Sequence, residues 1–330
     1  MHSKKNNVHA SFLEKQIDLF LTQLNLTTHQ TIVLGLSGGP DSVALLHLLD
    51  QKKTKFKYNL LAAHLDHEWR ENSKQDLLFC QELCDKLDLK LIYKQASNLN
   101  FRPKATGSQE DLGRQLRRYF FDQITQDYQA KYIMLAHHLD DQIETFLIRL
   151  IRGSTITGLS CMQSQTGIYL RPLLNISKQI ILDYLTAHKL HYIQDSTNLS
   201  PLFLRNRIRF LLPELEKIDS RFKLNFNQTL NQIKLANNFI LELAQETLKQ
   251  VSVNQKSKII NLKLFQNLKP FLKNQVILAW LYENQVSFVQ TKNFALEILK
   301  FFNSQHGGTH QINPSWVIYK KQNLVEIVLK

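Results

Sequence analysis

The six residues Ser-Gly-Gly-Pro-Asp-Ser, at positions 37–42, decide the fold of this chain. They follow the apolar run Thr-Ile-Val-Leu-Gly-Leu and precede the run Val-Ala-Leu-Leu-His-Leu-Leu. A short β-branched run followed by apolar residues at helical spacing predicts a strand, a tight turn and a helix. Gly38 and Gly39 allow a close backbone approach, and a helix that begins near Pro40 directs unpaired N–H groups at an anion. The segment therefore predicts a phosphate-binding loop, although an ordinary Ser/Gly-rich turn remains the alternative.

This loop differs from the common phosphate-binding loop. A Walker loop has the pattern GxxxxGK[ST], but no lysine is present here and Asp41 stands beside the expected phosphate. A carboxylate and a phosphate repel each other unless a cation lies between them. Asp41 therefore predicts a bridging Mg²⁺. The expected phosphate contacts are Ser37, Gly38, Gly39, Pro40, Asp41 and Ser42.

Strand-like runs alternate with helical patterns over the first half of the chain. The strand-like runs cover 31–36, 59–64, 89–93 and 132–136, and the helical patterns cover 40–50, 72–87, 109–129 and 139–151. This alternation predicts βαβ units and an α/β fold with a parallel sheet. Ligands of such sheets bind beyond the carboxyl ends of the strands, and the polar motifs of this chain follow its strands.

The second half of the chain has a different pattern. Residues 152–212 are predicted to be loop-rich, and Pro213 is predicted to end a first domain that covers 1–213. Residues 214–330 are predicted to form a mainly helical domain with a long polar helix from 215 to about 250 and helices near 262–282 and 290–303. A short β tail is predicted after Gly307-Gly308.

The charge of the chain predicts a polyanionic partner. The formal net charge is +13, and the residues from Glu216 onward hold 15 Lys or Arg but seven Asp or Glu. Such an excess favours nucleic acid first and a membrane surface second. No apolar stretch is long enough to span a bilayer, and the N-terminal residues do not form a signal-peptide core. The three cysteines cannot form a disulfide framework, which predicts reduced thiols and a cytoplasmic protein.

Two polar motifs follow the second and fourth strands. Asp66 and His67 lie in His-Leu-Asp-His-Glu-Trp-Arg, where they could contact a nucleotide or form a solvated loop. The other motif, His-His-Leu-Asp-Asp-Gln-Ile-Glu-Thr at 137–145, places His137, Asp141 and Glu144 on one helical face. Clustered carboxylates indicate a cation site or a cationic substrate. A di-metal hydrolase could use the same residues, but no matching second ligand set is present.

A charged stripe lies between these motifs. Glu110, Arg114 and Arg117 are spaced to share one face of a helix. The stripe is either an exposed face held by a Glu–Arg pair or an arginine pair directed at phosphate.

The six residues at 37–42 resemble the pyrophosphate loop of the N-type ATP pyrophosphatases. Together with the other motifs they resemble one family within that class, the tRNA(Ile)-lysidine synthetases. The motifs that carry the resemblance cover Ser37–Ser42, His64–Arg70, Glu110 with Arg114 and Arg117, His137–Thr145, 149–154, 158–160, 171–174, 195–198 and 205–209. The resemblance covers residues 31–209, and beyond 215 it extends only to length and helical character.

The resemblance implies an α/β PP-loop fold and an ATP-dependent ligase. Such an enzyme adenylates C2 of the wobble cytidine in a CAU-anticodon tRNA(Ile), and free L-lysine then displaces AMP to give lysidine. Asp41, Asp141, Glu144 and Arg114 would act in catalysis, with ATP and Mg²⁺ as cofactors. Asp66, His67 and His137 would contact the nucleotide. Substrate contacts would come from Arg117, Asp195, Asn198, Arg205, Asn206 and Arg209, and the enzyme could be a homodimer.

This chain departs from the family pattern in two ways. Arg118 stands between Arg117 and Tyr119, where the family commonly has the tyrosine directly after the arginine, so the helix could be offset by one residue. Some members also carry an additional C-terminal domain, which this short form is expected to lack. The alternatives are a tRNA thiolase, which would need cysteine pairs, an amide-forming synthetase, and an RNA-binding module that has lost its chemistry.

Overall fold

The structure is a computed structural model that describes residues 2–69, 73–103, 108–194, 204–253, 258–288 and 293–330. The chain divides into two compact units. The first comprises Met1–Arg152 with Cys161–Gln228, and the second comprises Gly153–Ser160 with Thr229–Lys330. None of the described helices is both long and apolar enough to cross a membrane.

A six-stranded sheet forms the centre of the first unit. Its strands are β1 (Thr31–Gly35), β2 (Asn59–Asp66), β3 (Leu91–Gln95), β4 (Ala130–Met134), β5 (Gln165–Thr166) and β6 (Tyr169–Leu170). The spatial order is β3-β2-β1-β4-β6-β5, with every neighbouring pair parallel except β5 and β6. Ile32, Val33 and Leu34 are fully buried because β1 is covered on both faces. The predicted α/β fold with a parallel sheet is confirmed.

Helices cover both faces of this sheet. They are α1 (His2–Gln23), α2 (Pro40–Phe56), α3 (Ser73–Lys86), α4 (Gln109–Asp127), α5 (Leu139–Ile151), α7 (Lys178–Ala187) and α8 (Leu204–Ile218), while the short α6 (Ile156–Leu159) belongs to the second unit. One core joins α1, α2, α3 and α7 to the sheet around Leu45 and Tyr184. A second core joins α4 to the other face around Phe120 and Ile133.

The second unit combines helices with a small antiparallel sheet. Its elements after α9 (Phe222–Val251) are β7 (Ile259–Asn261), α10 (Leu262–Gln266), α11 (Pro270–Glu283), α12 (Phe294–Asn303), β8 (Gly308–Asn313), β9 (Trp316–Lys321) and β10 (Leu324–Leu329). The strands lie in the order β7-β10-β9-β8. Trp280, Phe265 and Phe302 are buried at the centre of the core. The predicted helical region with a β tail is confirmed.

Several predicted boundaries differ from those of the structure. Pro213 lies inside α8, and the long helix predicted from 215 begins at Phe222. The break between α8 and α9 follows from Asp219, whose side chain accepts a hydrogen bond from the Arg221 amide at 2.8 Å. The single helix predicted for 262–282 is divided into α10 and α11, because Pro270 lacks an amide donor and begins a new helix.

Candidate active site

The phosphate loop lies between β1 and α2 and is held by its two serines. The Ser37 amide donates to Ser42 Oγ at 3.2 Å, and Ser42 Oγ donates to the Gly39 carbonyl at 2.9 Å. Pro40 is the first residue of α2, and Gly39 at the N-cap supplies no side chain to bond the first helical amides. Amides of the first turn of α2 therefore lack helical partners and can bind an anion.

Gly38 occupies a position that requires glycine. Its φ angle is +80°, in the left-handed region that side chains rarely adopt. A Cβ atom at Gly38 would lie 2.7 Å from Ile193 Cδ1, and the Ile193 amide donates to the Gly38 carbonyl at 2.9 Å. The segment after α7 is therefore tied directly to the phosphate loop.

Asp41 forms an ion pair that the sequence did not indicate. Lys178 Nζ, at the first residue of α7, donates to Asp41 Oδ1 at 2.6 Å and to Oδ2 at 2.7 Å. His138 Nε2 lies 3.6 Å from Asp41 Oδ1 and 3.6 Å from Asp141 Oδ2. The fold therefore brings Asp41 and Asp141, which are far apart in sequence, to the same ring nitrogen of His138.

Asp140 and Asp141 have different surroundings at the start of α5. Asp141 Oδ2 accepts the His138 amide at 2.9 Å, which caps the helix. Asp140 instead accepts the Lys178 amide at 3.2 Å and Lys223 Nζ at 2.8 Å. Burial raises the pKa of Asp141, but interactions with His138 and His137, the capping bond and the charge of Arg205 outweigh burial, so the net pKa is lowered. Asp141 therefore stays ionised.

His137 is a neutral imidazole beside these carboxylates. Desolvation lowers the pKa of His137 to about 4, and the charges of Arg171 and Arg117 act in the same direction against that of Asp141. Its Nδ1 atom is buried and has no hydrogen-bond partner among the described residues. A buried polar atom without a partner is costly, so this nitrogen is suited to bind a ligand.

Glu144, one turn further along α5, is enclosed by arginines. Its carboxylate accepts Arg205 Nε at 2.7 Å, Arg209 Nε at 2.8 Å and Arg209 Nη2 at 3.2 Å. Its side chain is 1% exposed. Arg205 also pairs with Glu110 on α4 and lies 3.6 Å from Asp141 Oδ1. Leu139, Ile143 and Leu212 pack α8 against α5 beside these ion pairs.

Asp66 and His67 follow β2, as predicted. Asp66 is buried and accepts the Glu68 amide at 2.8 Å and Ser73 Oγ at 3.0 Å, so both of its oxygens bond within the loop. His67 stacks on Trp69 with a ring-centroid distance of 4.5 Å. Burial, together with the charge of Arg117, lowers the pKa of His67 to about 4.

The remaining predicted residues lie at several places. Arg114 and Arg117 are exposed on α4. Asn206 is buried on α8 between the two arginines that hold Glu144. Asp195 and Asn198 lie outside the described residues.

The sequence reasoning missed Lys178, Lys223 and His138. The sequence position of Lys178 could have indicated its ion pair. A cation in the first turn of a helix opposes the helix dipole, which indicates a nearby carboxylate. Its partner Asp41 is 137 residues away, so the sequence does not name that carboxylate.

Residues 9–215 match the family model of the PP-loop domain. The chain belongs to the PP-loop family. The members of this family use ATP, and the structure places the loop at residues 37–42, between β1 and α2.

Several curated relatives of this PP-loop protein are named tRNA(Ile)-lysidine synthase. A tRNA(Ile)-lysidine synthase from Bacillus cereus is 33% identical over 306 residues, which are 88% of this chain and 64% of the relative. The protein of the same name from Bacillus subtilis is 34% identical over 82% of this chain and 60% of the relative. The chain thus spans somewhat less than two thirds of the length of these relatives.

A solved structure supports the PP-loop fold. The U34-tRNA thiolase NcsA from Methanococcus maripaludis, solved with its [4Fe-4S] cluster, superposes with a TM-score of 0.60 at 16% identity. The match covers 69% of this chain and 80% of that structure. At this identity the likeness concerns the fold alone.

Proposed function

We propose that this protein is a tRNA(Ile)-lysidine synthetase that uses ATP to join L-lysine to C2 of the wobble cytidine in a CAU-anticodon tRNA(Ile). The observation that carries the proposal is the match to curated lysidine synthases over 88% of the chain. The grouping of Asp41, His137, His138 and Asp141 beside the phosphate loop supports it. We further propose that the enzyme acts in the cytoplasm, and a homodimer remains a prediction.

In the first half-reaction the C2 oxygen of cytidine attacks the α-phosphorus of ATP. An O–P bond forms, the bond between the α- and β-phosphates breaks, and pyrophosphate leaves. The amides of the phosphate loop and the hydroxyls of Ser37 and Ser42 would hold the departing pyrophosphate. His137, neutral and with a free ring nitrogen, would contact the nucleotide. Arg114 would lie near the developing charge on the phosphate.

The residues present fit the predicted Mg²⁺. The described residues include no group of three or more His, Cys, Asp or Glu side chains that could hold a metal ion by themselves. Mg²⁺ bound to a nucleotide needs only one or two protein carboxylates, because phosphates and water supply the other oxygens. Asp41 would be that carboxylate, and when bound the ion would neutralise charge on the phosphates. In the structure, the ammonium of Lys178 pairs with the Asp41 carboxylate and balances its charge.

In the second half-reaction the ε-amine of lysine attacks C2, the C2–O bond breaks and AMP leaves with the oxygen. Lysine arrives as an ammonium and must lose a proton before it attacks. Asp141 is ionised and makes its nearest arginine contact at 3.6 Å, so it would bind the ammonium and accept the proton. Glu144 would act beside it by holding Arg205 and Arg209 against the same helix.

The tRNA contact is proposed to be mainly electrostatic. Arg117, Arg205, Asn206 and Arg209 belong to the first unit, and Lys258 and Lys263 belong to the second. Basic residues that contact phosphates release counterions, so binding weakens steeply with salt. Asp195 and Asn198, which were predicted to contact the substrate, and Lys256 lie outside the described residues.

The rival functions are less well supported. A thiolase would need reactive cysteines, but burial raises the pKa of Cys80 to about 12 and that of Cys84 to about 11. Thiols with such pKa values are poor nucleophiles. A silent RNA-binding module would not need an ionised carboxylate, a neutral imidazole and a phosphate loop grouped together.

The test is an assay with purified protein, ATP, Mg²⁺ and labelled lysine. A CAU-anticodon isoleucine transcript is compared with a transcript in which uridine replaces the wobble cytidine. We expect lysine to enter only the cytidine transcript, with one pyrophosphate released for each lysine. ATP cleavage without lysine transfer would contradict the proposed nucleophile, and tRNA binding without pyrophosphate release would favour the silent module.

A variant of Asp141 tests the proposed proton acceptor. Asp141→Asn can still accept the His138 amide and cap α5, so the helix should be retained. We expect the variant to release pyrophosphate slowly and to transfer no lysine. Lysine transfer at the rate of the unmodified protein would contradict the role of Asp141.

A further inference from the structure

An exposed aromatic ring lies beside the candidate site and has no role in the mechanism above. Trp69 follows β2, and 44% of its surface is exposed. His67 stacks on one face of its indole, with ring centroids 4.5 Å apart and planes inclined by 22°. His67 covers one face of the indole, and the exposed part of the ring is available to a ligand.

Gly113 on α4 holds the edge of this ring. A Cβ atom at Gly113 would lie 2.5 Å from Trp69 Cη2 and 3.4 Å from both Cζ2 and Cζ3, which places it at the outer edge of the indole. Glycine inside a helix is unfavourable, so this close contact gives the residue a packing role. The ring is thereby supported on one face and at one edge.

The helix that supports the ring also carries cationic side chains. Arg114 and Arg117 are exposed on α4, within four residues of Gly113. The charge of Arg117 acts on His67, and the charge of Arg114 acts on Arg171. Aromatic rings beside arginines are the combination by which proteins bind single-stranded nucleic acid, with stacking for the base and guanidinium groups for the backbone.

We propose that Trp69 is a stacking platform for an unpaired base of an RNA substrate, with Arg117 bound to an adjacent phosphate. The adenine of ATP offers the same ring chemistry, but ATP has a single phosphate chain, which the loop at 37–42 and Arg114 would hold. Arg117 then needs a second source of phosphate, and an RNA backbone supplies it. This inference rests on the proposed function only in that the substrate is an RNA.

The test measures RNA binding without turnover. The protein is titrated with a CAU anticodon stem-loop, with a short single-stranded RNA of unrelated sequence, and separately with ATP. Trp69→Leu keeps an apolar side chain but removes the π system, Trp69→Phe keeps a ring, and Gly113→Ala displaces the indole. Phe12→Leu on α1 removes another exposed ring of the same unit and serves as the control.

We expect Trp69→Leu to weaken binding of both RNAs about tenfold, within the range measured for single stacking contacts. Gly113→Ala should weaken both RNAs several-fold although alanine favours the helix, while Trp69→Phe and Phe12→Leu should stay close to the unmodified protein. ATP affinity should be unchanged throughout. Trp280 is fully buried and Trp316 is partly buried, so the RNA-dependent quenching that Trp69→Leu loses can be assigned to Trp69.

Two results would overturn the proposal. Equal RNA affinity for Trp69→Leu and the unmodified protein would show that no base stacks there. Loss of ATP affinity alone would assign the ring to adenine. If the unmodified protein transfers no lysine and does not prefer the CAU stem-loop, the proposed function fails, yet Trp69-dependent binding of the unrelated RNA would still support the platform.

Discussion

Asp41 and Glu144 are both carboxylates of the first unit with cationic partners, but their surroundings differ. Asp41 is 24% exposed and is paired with one ammonium, that of Lys178. Glu144 is 1% exposed and is bonded by Arg205 and Arg209. Lysine is a flexible point charge that can move to another anion, whereas paired guanidinium groups fix a carboxylate geometrically. The difference teaches that Asp41 is suited to exchange its partner for a ligand, while Glu144 is suited to hold a structure.

Asp41→Asn should have the largest effect of the variants that compare Asp41 with Glu144, and the effect should be on the rate and not on stability. Removing the charge should lower the rate of pyrophosphate release about 10²–10³-fold, as for other groups that stabilise charge in a transition state. Stability should change by no more than about 1 kcal/mol, because Lys178 can turn toward solvent. Pyrophosphate release and urea unfolding measure the two effects. An equal rate for the variant would remove Asp41 from the mechanism.

Glu144→Gln should lower the stability of the protein much more than Asp41→Asn does. It leaves two arginines without their buried anion and should lower the free energy of unfolding by about 3 kcal/mol. Glu110→Gln makes the same chemical change at the exposed partner of Arg205 and should cost less than about 1 kcal/mol. Urea unfolding of both variants checks this. Equal losses of unfolding free energy for the two variants would contradict the structural role assigned to Glu144.

Between pH 6.5 and pH 4, the pH dependence of stability should come from histidines. Contacts with Glu144 raise the pKa of Arg209 despite burial, and the net pKa of Asp141 lies below 3.8, so these groups stay charged above that pH. His67 and His137 have pKa values of about 4, against 6.5 when unfolded. Between these values the unfolded chain binds more protons, so stability falls as the pH is lowered.

We expect a loss of about 1–3 kcal/mol from each of these histidines between pH 6.5 and pH 4. Urea unfolding at a series of pH values measures it. The double variant His67→Phe, His137→Asn should have a clearly shallower slope. An unchanged slope would assign the effect to other groups.

Lys178→Met should have the smallest effect. If the ammonium moves from Asp41 to the phosphates, its loss should weaken ATP binding about tenfold, which is about 1.4 kcal/mol. Lys178→Arg should retain most of the affinity. Lys223→Met makes the same change at the partner of Asp140 and should leave ATP binding within about twofold. Titration calorimetry with ATP compares the three variants. Similar losses of ATP affinity for both methionine variants would show that Lys178 has no specific role in ATP binding.

The sequence predicted the elements well where local pattern and tertiary structure agree. The phosphate loop and the capped start of α5 each depend on residues close together in the chain, and the parallel sheet was predicted from the alternation of local strand and helix patterns. The break at Asp219 was missed because helical periodicity continues through it, and one side-chain hydrogen bond ends the helix. Pro213 was taken for a boundary, although α8 accommodates it.

The partners within the site could not be predicted in the same way. Asp41, Asp141 and Glu144 were visible as unusual carboxylates, but their cations lie far along the chain. Arg205 and Arg209 are 61 and 65 residues from Glu144, and each was expected to contact substrate. Which arginine meets which carboxylate is decided by the packing of α8 on α5, and a single sequence does not state that packing.

The contact between Gly38 and Ile193 has a consequence for the order of events during synthesis. The loop at 37–42 and all the strands that flank it leave the ribosome well before residue 193. The hydrogen bond to the Gly38 carbonyl and the ammonium that neutralises Asp41 both come from the later segment. A nascent chain can therefore complete its central parallel strands before residues 178–193 have emerged to bond the phosphate loop and to pair with Asp41.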